Sequence, residues 1–232
     1  GGGTSVINYN NLYGNGLYGS TTGGIKNKTE ESVDAKYNWW GDASGPGQVG
    51  HGDGDGVSTK VLYSPWLGAE LGTEPMTWGV DTTGSIQDAI DTVDPGDTII
   101  AAEGEYEEDL NIDKSLTLQS ADGAWVTTIA GSVSIELDAE IVFLGGDDAG
   151  FTVDADGGGF AIWLSIANGS EVTISRNILT GATEGITTRG GSLDNSTVLI
   201  NSNSLGGNGN YGLYVEDSAV IVDATSNWWG HA

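Results

Sequence analysis

An eight-residue pattern, Ile-x-x-Asn-x-Leu-x-Gly, occurs three times in this chain, as INYNNLYG at 7–14, ISRNILTG at 174–181 and INSNSLGG at 200–207. The turns that follow the first and third copies end almost identically, as VDAKYNWWG at 33–41 and VDATSNWWG at 222–230. The asparagines recur after 26 residues (Asn177 to Asn203), 24 (Asn203 to Asn227) and 28 (Asn10 to Asn38), and 189 residues separate Trp39 from Trp228. Self-similarity at a fixed period of this length specifies a solenoid, in which each repeat buries its apolar face only by stacking on its neighbours.

The segments between the repeats' turns choose the kind of solenoid. LTLQ at 116–119, VSIEL at 133–137, IVFL at 141–144, VTIS at 172–175, VLIN at 198–201 and VIVD at 220–223 are short, β-branched and bounded by Gly, Asn, Asp and Ser, which is strand chemistry. A repeat of about 22 to 26 residues holds three short strands and three turns, one rung of a parallel β-helix. The reading is therefore all-β. The recurring asparagines, Asn10, Asn38, Asn177, Asn203 and Asn227, are expected at one corner of successive rungs. There Asn tolerates the left-handed conformation, and its amide passes hydrogen bonds along the axis as an Asn ladder. One helix interrupts the strands at about 85–93: Ile86, Ala89, Ile90 and Val93 share a face, Ser85 and Asp88 form a capping-box pattern, and DPGD at 94–97 ends it. Its expected role is to cover an open end of the solenoid core.

Composition narrows the partners. With Asp plus Glu 33 and Lys plus Arg 7, the formal charge is −26. Such a surface repels nucleic acid and anionic lipid and accepts polyanionic sugars only through bridging cations. The acidity fits a salt-rich habitat, Ca²⁺ binding or simple solubility. Cysteine is absent, so disulfide and thiol chemistry are excluded, and no apolar run is long enough to enter a bilayer.

With these residues on the page, the segment SIQDAIDTVDPGDTIIAAEGEYEEDLNIDKSLTLQS at 85–120 resembles the opening of right-handed parallel β-helix proteins of the pectin-lyase-like and NosD-like type. The segment NWWGDASGPG…GDGVSTKVLYSPWL at 38–67 is similar to the closing segment of tandem β-helix domains in large surface proteins. The resemblance implies a right-handed coil with an N-terminal capping helix and an extracellular or cell-surface location. It does not choose among lyases, esterases, epimerases and inert surface proteins. Because a closing segment precedes an opening one, the expected organisation is the last rungs of one β-helix at 1–67, a connector at 68–84, and a second unit of about six rungs at 85–232. That order fits either a piece of a tandem array or a protomer that stacks head-to-tail on like subunits and grows into a filament.

Candidate sites are sparse. A lyase needs a base, and Arg176, Arg189 and Lys114 are the cations of the main solenoid; a glycosidase needs two spaced carboxylates, and Asp147-Asp148 is an adjacent pair in a turn. His51 and His231 lack nucleophile or metal-ligand partners at useful spacing. Asp53 and Asp55 in HGDGDG at 51–56 form a candidate Ca²⁺ loop, and Glu107-Glu108-Asp109 a weaker one. Asn27, Asn168 and Asn195 head N-glycosylation sequons. Of each closing pair, Trp39-Trp40 and Trp228-Trp229, one ring is expected to seal the core and the other to stay available to glycans or a neighbouring unit. The expected function is a non-catalytic structural or adhesive surface β-helix; the alternative is a carbohydrate-active β-helix with a groove on its strand face.

Overall fold

The computed structural model describes residues 5–15, 23–137, 141–146, 148–166, 169–188, 196–216 and 221–230. Asn168, Asn195, Asp147, Arg189 and His231 lie outside this set. The chain forms a parallel β-solenoid of about 8 turns, all-β apart from one helix. By compactness it divides into unit 1, residues 1–93 with 97–100, and unit 2, residues 94–96 with 101–232.

Unit 2 shows why the repeats fold as they do. Each rung contributes one strand to each of three stacks. The first contains Leu110–Ile112, Val133–Leu137, Phe160–Ile166, Glu184–Thr188 and Tyr211–Val215; the second Leu116–Ser120, Ile141–Gly145, Glu171–Ser175, Thr197–Asn201 and Ile221–Asp223. The third contains Gly104–Tyr106, Thr127–Ala130, Thr152–Asp154 and Ile178–Thr180. Parallel register puts residues of one type directly above one another. Leu118, Leu144, Ile174 and Ile200 form one column, and Leu116, Val142, Val172 and Val198 another. A third column runs Ile129, Val153, Leu179. Nearly all these side chains are fully buried, and each contributes roughly 1.5–3 kcal/mol of burial. Strand alternation then sends the intervening residues outward.

The asparagines close the corners. Asn177 donates its backbone N–H to Asn203 Oδ1 at 2.9 Å, and Asn203 does the same to Asn227 at 2.9 Å. The Nδ2 groups donate to carbonyls of the rung before: Asn177 to Leu144 at 3.1 Å, Asn203 to Ile174 at 2.8 Å and Asn227 to Ile200 at 2.6 Å. Asn177 and Asn203 are 1% and 2% exposed, so these bonds satisfy backbone groups that water cannot reach. In one detail the corner differs from the expectation. The left-handed residue is the one before each ladder asparagine: Tyr9, Tyr37, Arg176, Ser202 and Ser226 all have φ between 57 and 61°. The bend is made one position early, which leaves the asparagine free to aim its amide along the axis.

Unit 1 uses the same device. Strands Ser5–Val6, Val33–Asp34 and Val61–Leu62 stack in parallel, and Asn10 donates its N–H to Asn38 Oδ1 at 2.8 Å. Its core gathers Ala35, Trp40, Val57, Val61, Tyr63 and Trp66. The stretch 68–84, expected as a connector, contains the strand Thr77–Val80, antiparallel to Trp66–Leu67. Its alternation is broken by Gly79, where a Cβ would sit 2.1 Å from the Trp66 ring; only glycine admits that approach. The carboxylate of Asp97, 3% exposed, accepts from Met76 N–H at 2.8 Å and Trp78 Nε1 at 2.9 Å.

The helix spans Ile86–Thr92, with Ser85 Oγ accepting from Asp88 N–H. Ile86, Ala89, Ile90 and Val93 are all buried. It groups with unit 1, where Asp88 pairs with Lys36 at 2.9 Å.

The ladder sets an expected stability gradient. Asn177→Ala orphans the Phe151 N–H, which Asn177 Oδ1 accepts at 2.8 Å, and the Leu144 carbonyl; at about 1–3 kcal/mol per buried orphan, the loss is about 3–4 kcal/mol. Asn10→Ala, at an exposed position, should cost less than about 1 kcal/mol. Urea unfolding of both variants checks the order.

Candidate functional site

The face with the most concentrated chemistry is the outer side of the first strand stack in unit 2. Val133, Ile162 and Ile186 stand in register and point inward, 0% exposed. The neighbouring column, Ser134, Trp163, Thr187 and Tyr214, therefore projects to the other side. A second column runs Phe160, Glu184, Tyr211. Phe160 and Trp163 meet edge to face with centroids 4.8 Å apart, and Tyr211 and Tyr214 stack at 5.6 Å and 29°. Between them Thr187 donates its hydroxyl to Glu184 Oε2 at 2.6 Å, which fixes one carboxylate oxygen and leaves the other to accept from a ligand.

A groove of about 260 Å³ opens here, lined by Gly159, Phe160, Trp163, Thr183, Glu184 and Thr187. Aromatic faces beside one oriented carboxylate and hydroxyls suit the apolar faces and hydroxyl edges of a sugar. Sequence reasoning missed these residues. Their signal was the repeat itself, since Trp163, Thr187 and Tyr214 fall four to six residues after the turn glycines Gly159, Gly181 and Gly209 of consecutive rungs.

The residues singled out from sequence lie elsewhere. Arg176 pairs with the exposed Asp148 at 3.2 Å. Asp55 is buried and accepts from Asn15 N–H at 3.0 Å and Nδ2 at 3.2 Å, while Asp53 is exposed and donates its backbone N–H to Ser44 Oγ. Among the described residues, no three His, Cys, Asp or Glu gather to hold a metal. His51 is exposed. Asn27 Nδ2, the atom a glycan would take, donates to the Glu31 and Lys60 carbonyls at 2.7 and 3.2 Å. Of the closing tryptophans, Trp40 is fully buried and Trp39 half-buried, but Trp228 and Trp229 are 58% and 53% exposed.

In the acidic turn 107–109, Asp109 Oδ1 accepts from Ser132 N–H at 2.8 Å and Oγ at 2.9 Å. These bonds hold its carboxyl below the ordinary carboxylate range, the backbone bond contributing most. A depressed folded-state pKa stabilises the fold above the unfolded value of about 3.9 and is lost as pH falls through the folded value. Ser132→Ala should move the Asp109 pKa upward, a shift that carboxyl-carbon NMR titration detects.

No protein-family model matches the chain, and no curated protein or solved structure matches it.

Proposed function

We propose that this chain is a non-catalytic β-helix of the cell surface or extracellular space, a structural element whose aromatic strand face adheres to neutral glycans. The observation that carries the reading is the Phe160–Trp163–Glu184–Thr187–Tyr211–Tyr214 face, continuous over three rungs at about 4.8 Å spacing. Neutral sugars fit because Glu184 and a formal charge of −26 repel acidic ones.

Two features weigh against bond cleavage on this face. The strands that form it carry no Lys, Arg or His to act as a base. Its acids are also badly spaced for a glycosidase. Glu136 is in register with Ser165, and Glu184 with Phe160 two rungs from Glu136. That offset puts the backbones about 16 Å apart along the strand and about 10 Å across it, against the 5–10 Å a carboxylate pair needs.

The finer parts of the reading rest on the resemblance of 85–120 and 38–67 to pectin-lyase-like and tandem surface β-helices. They are a right-handed coil, the helix as an end cap, and like units stacked head-to-tail. Weak Ca²⁺ binding at acidic turns and N-glycans at the sequons belong to the same extracellular picture.

Affinity electrophoresis against soluble neutral polysaccharides (β-glucan, mannan, xylan) tests the reading. Retardation by at least one is expected, weakened about tenfold by Trp163→Ala, the effect of losing roughly 1.4 kcal/mol of stacking, with no reducing ends released. Retardation by none, retardation unchanged in Trp163→Ala, or shortening of the polysaccharide would overturn it.

A further inference from the structure

The groove beside Glu184 has an electrostatic character that ring stacking leaves unused. Phe160 stands one rung before Glu184 and Tyr211 one rung after it, in direct register, so aromatic residues flank the carboxylate on both sides at about 4.8 Å along the axis. Trp163 lines the same groove and meets Phe160 edge to face with centroids 4.8 Å apart. Aromatic side chains therefore stand around one acid.

That acid has no cation beside it. Among the described residues the polar partner of Glu184 is the Thr187 hydroxyl, which donates to Oε2 at 2.6 Å. Thr187 is 1% exposed, so the bond is sheltered; it orients the carboxylate without neutralising it. The described cations of unit 2 lie elsewhere. Arg176 pairs with Asp148 at 3.2 Å, and Lys114 follows the strand Leu110–Ile112, three rungs from Glu184. No residue lining the groove is basic.

A carboxylate bounded by ring carbons attracts a positive group more strongly than an acid on open surface, because the effective dielectric is lower. Ring faces within about 6 Å of an ammonium add cation–π attraction. The formal charge of −26 draws cations in the same sense. A metal ion is poorly served here: it needs several oxygen ligands, and among the described residues no three acids gather. An ammonium carried on a sugar ring uses every part of the groove. Its ring packs on the aromatic faces, its amine meets the carboxylate, and its hydroxyls reach Thr183.

We propose that this groove selects amino sugars, glycans that carry free, protonated amines, with the ammonium donating to Glu184 Oε1 against Phe160, Trp163 and Tyr211. This rests on the reading of the face as a glycan-binding surface and names the sugar class it prefers. N-acetylation removes the charge and so the preference, and acidic sugars are repelled.

Isothermal titration calorimetry of the full chain tests the proposal, with a glucosamine tetrasaccharide and its N-acetylated counterpart as probes. At about pH 6 and about 0.5 M NaCl the amine is charged and attraction between charges is confined to roughly 5 Å. The amine form should bind at least about tenfold tighter than the N-acetylated form, the effect of one charge-assisted hydrogen bond. Glu184→Gln keeps the size of the side chain and should bring the two affinities within about twofold. Glu171→Gln, at an exposed acid of the second strand stack, should leave the ratio unchanged. Circular dichroism confirms that the variants fold. Thr187→Val, which releases the carboxylate from its orienting bond, should lower the ratio about threefold and replaces Glu184→Gln if that variant does not fold. No binding of the amine form, equal binding of the two forms, a ratio that survives in Glu184→Gln, or an equal fall in Glu171→Gln would overturn the proposal. The glycan reading itself fails on a different result, when neutral polysaccharides do not retard the chain or retard Trp163→Ala as strongly as the wild type.

Discussion

The side-chain amide of asparagine, donor and acceptor at once, is the group on which the corners of this solenoid depend. A rung that turns sharply leaves backbone N–H and carbonyl groups pointing along the axis, away from solvent. Asn177 and Asn203 are almost completely buried, and between them satisfy the rung before and the rung after. Aspartate lacks the Nδ2 donor and would bury a charge among carbonyls; glutamine is one methylene too long for the same reach. Because each amide bonds to its neighbour in one sense, the ladder also gives the stack a direction, and a direction makes the two ends of a ladder chemically different.

Register does the rest. Once the corner fixes the rung length, parallel pairing at about 4.8 Å forces like residues into columns. Inside, columns of Leu, Ile and Val pack into a core without the need for disulfides. Outside, a column of one charge would repel itself at that spacing. On the face around Glu184, the neighbours above and below the carboxylate are Phe160 and Tyr211, neither of which adds charge. The result is a stripe of aromatic side chains with one acid among them, oriented by Thr187.

The closing tryptophans show how context changes the meaning of one motif. NWWG at 38–41 and at 227–230 has the same backbone and the same ladder bonds. Trp40 nevertheless belongs to a core, whereas Trp229 lies half in solvent. The difference comes from the turn that lies on the first corner and from nothing within the motif.

Periodicity and residue type by themselves determined that the chain coils into parallel rungs, where the corners fall, that Ile86, Ala89, Ile90 and Val93 share a buried helix face, and that Asn177, Asn203 and Asn227 stand in line. These properties are local or repeat-bound, so spacing along the chain carries them. The strand Thr77–Val80 was hidden because Gly79 makes room for Trp66, a residue 13 positions away. Asp97 read as a helix stop, yet it is a buried acceptor for Met76 and Trp78. The face around Glu184 was equally silent, since Phe160, Trp163, Glu184, Thr187, Tyr211 and Tyr214 come from three strands. Which side chains share a face, and which tryptophans are covered, is decided by contacts between rungs, and only the tertiary structure brings rungs together.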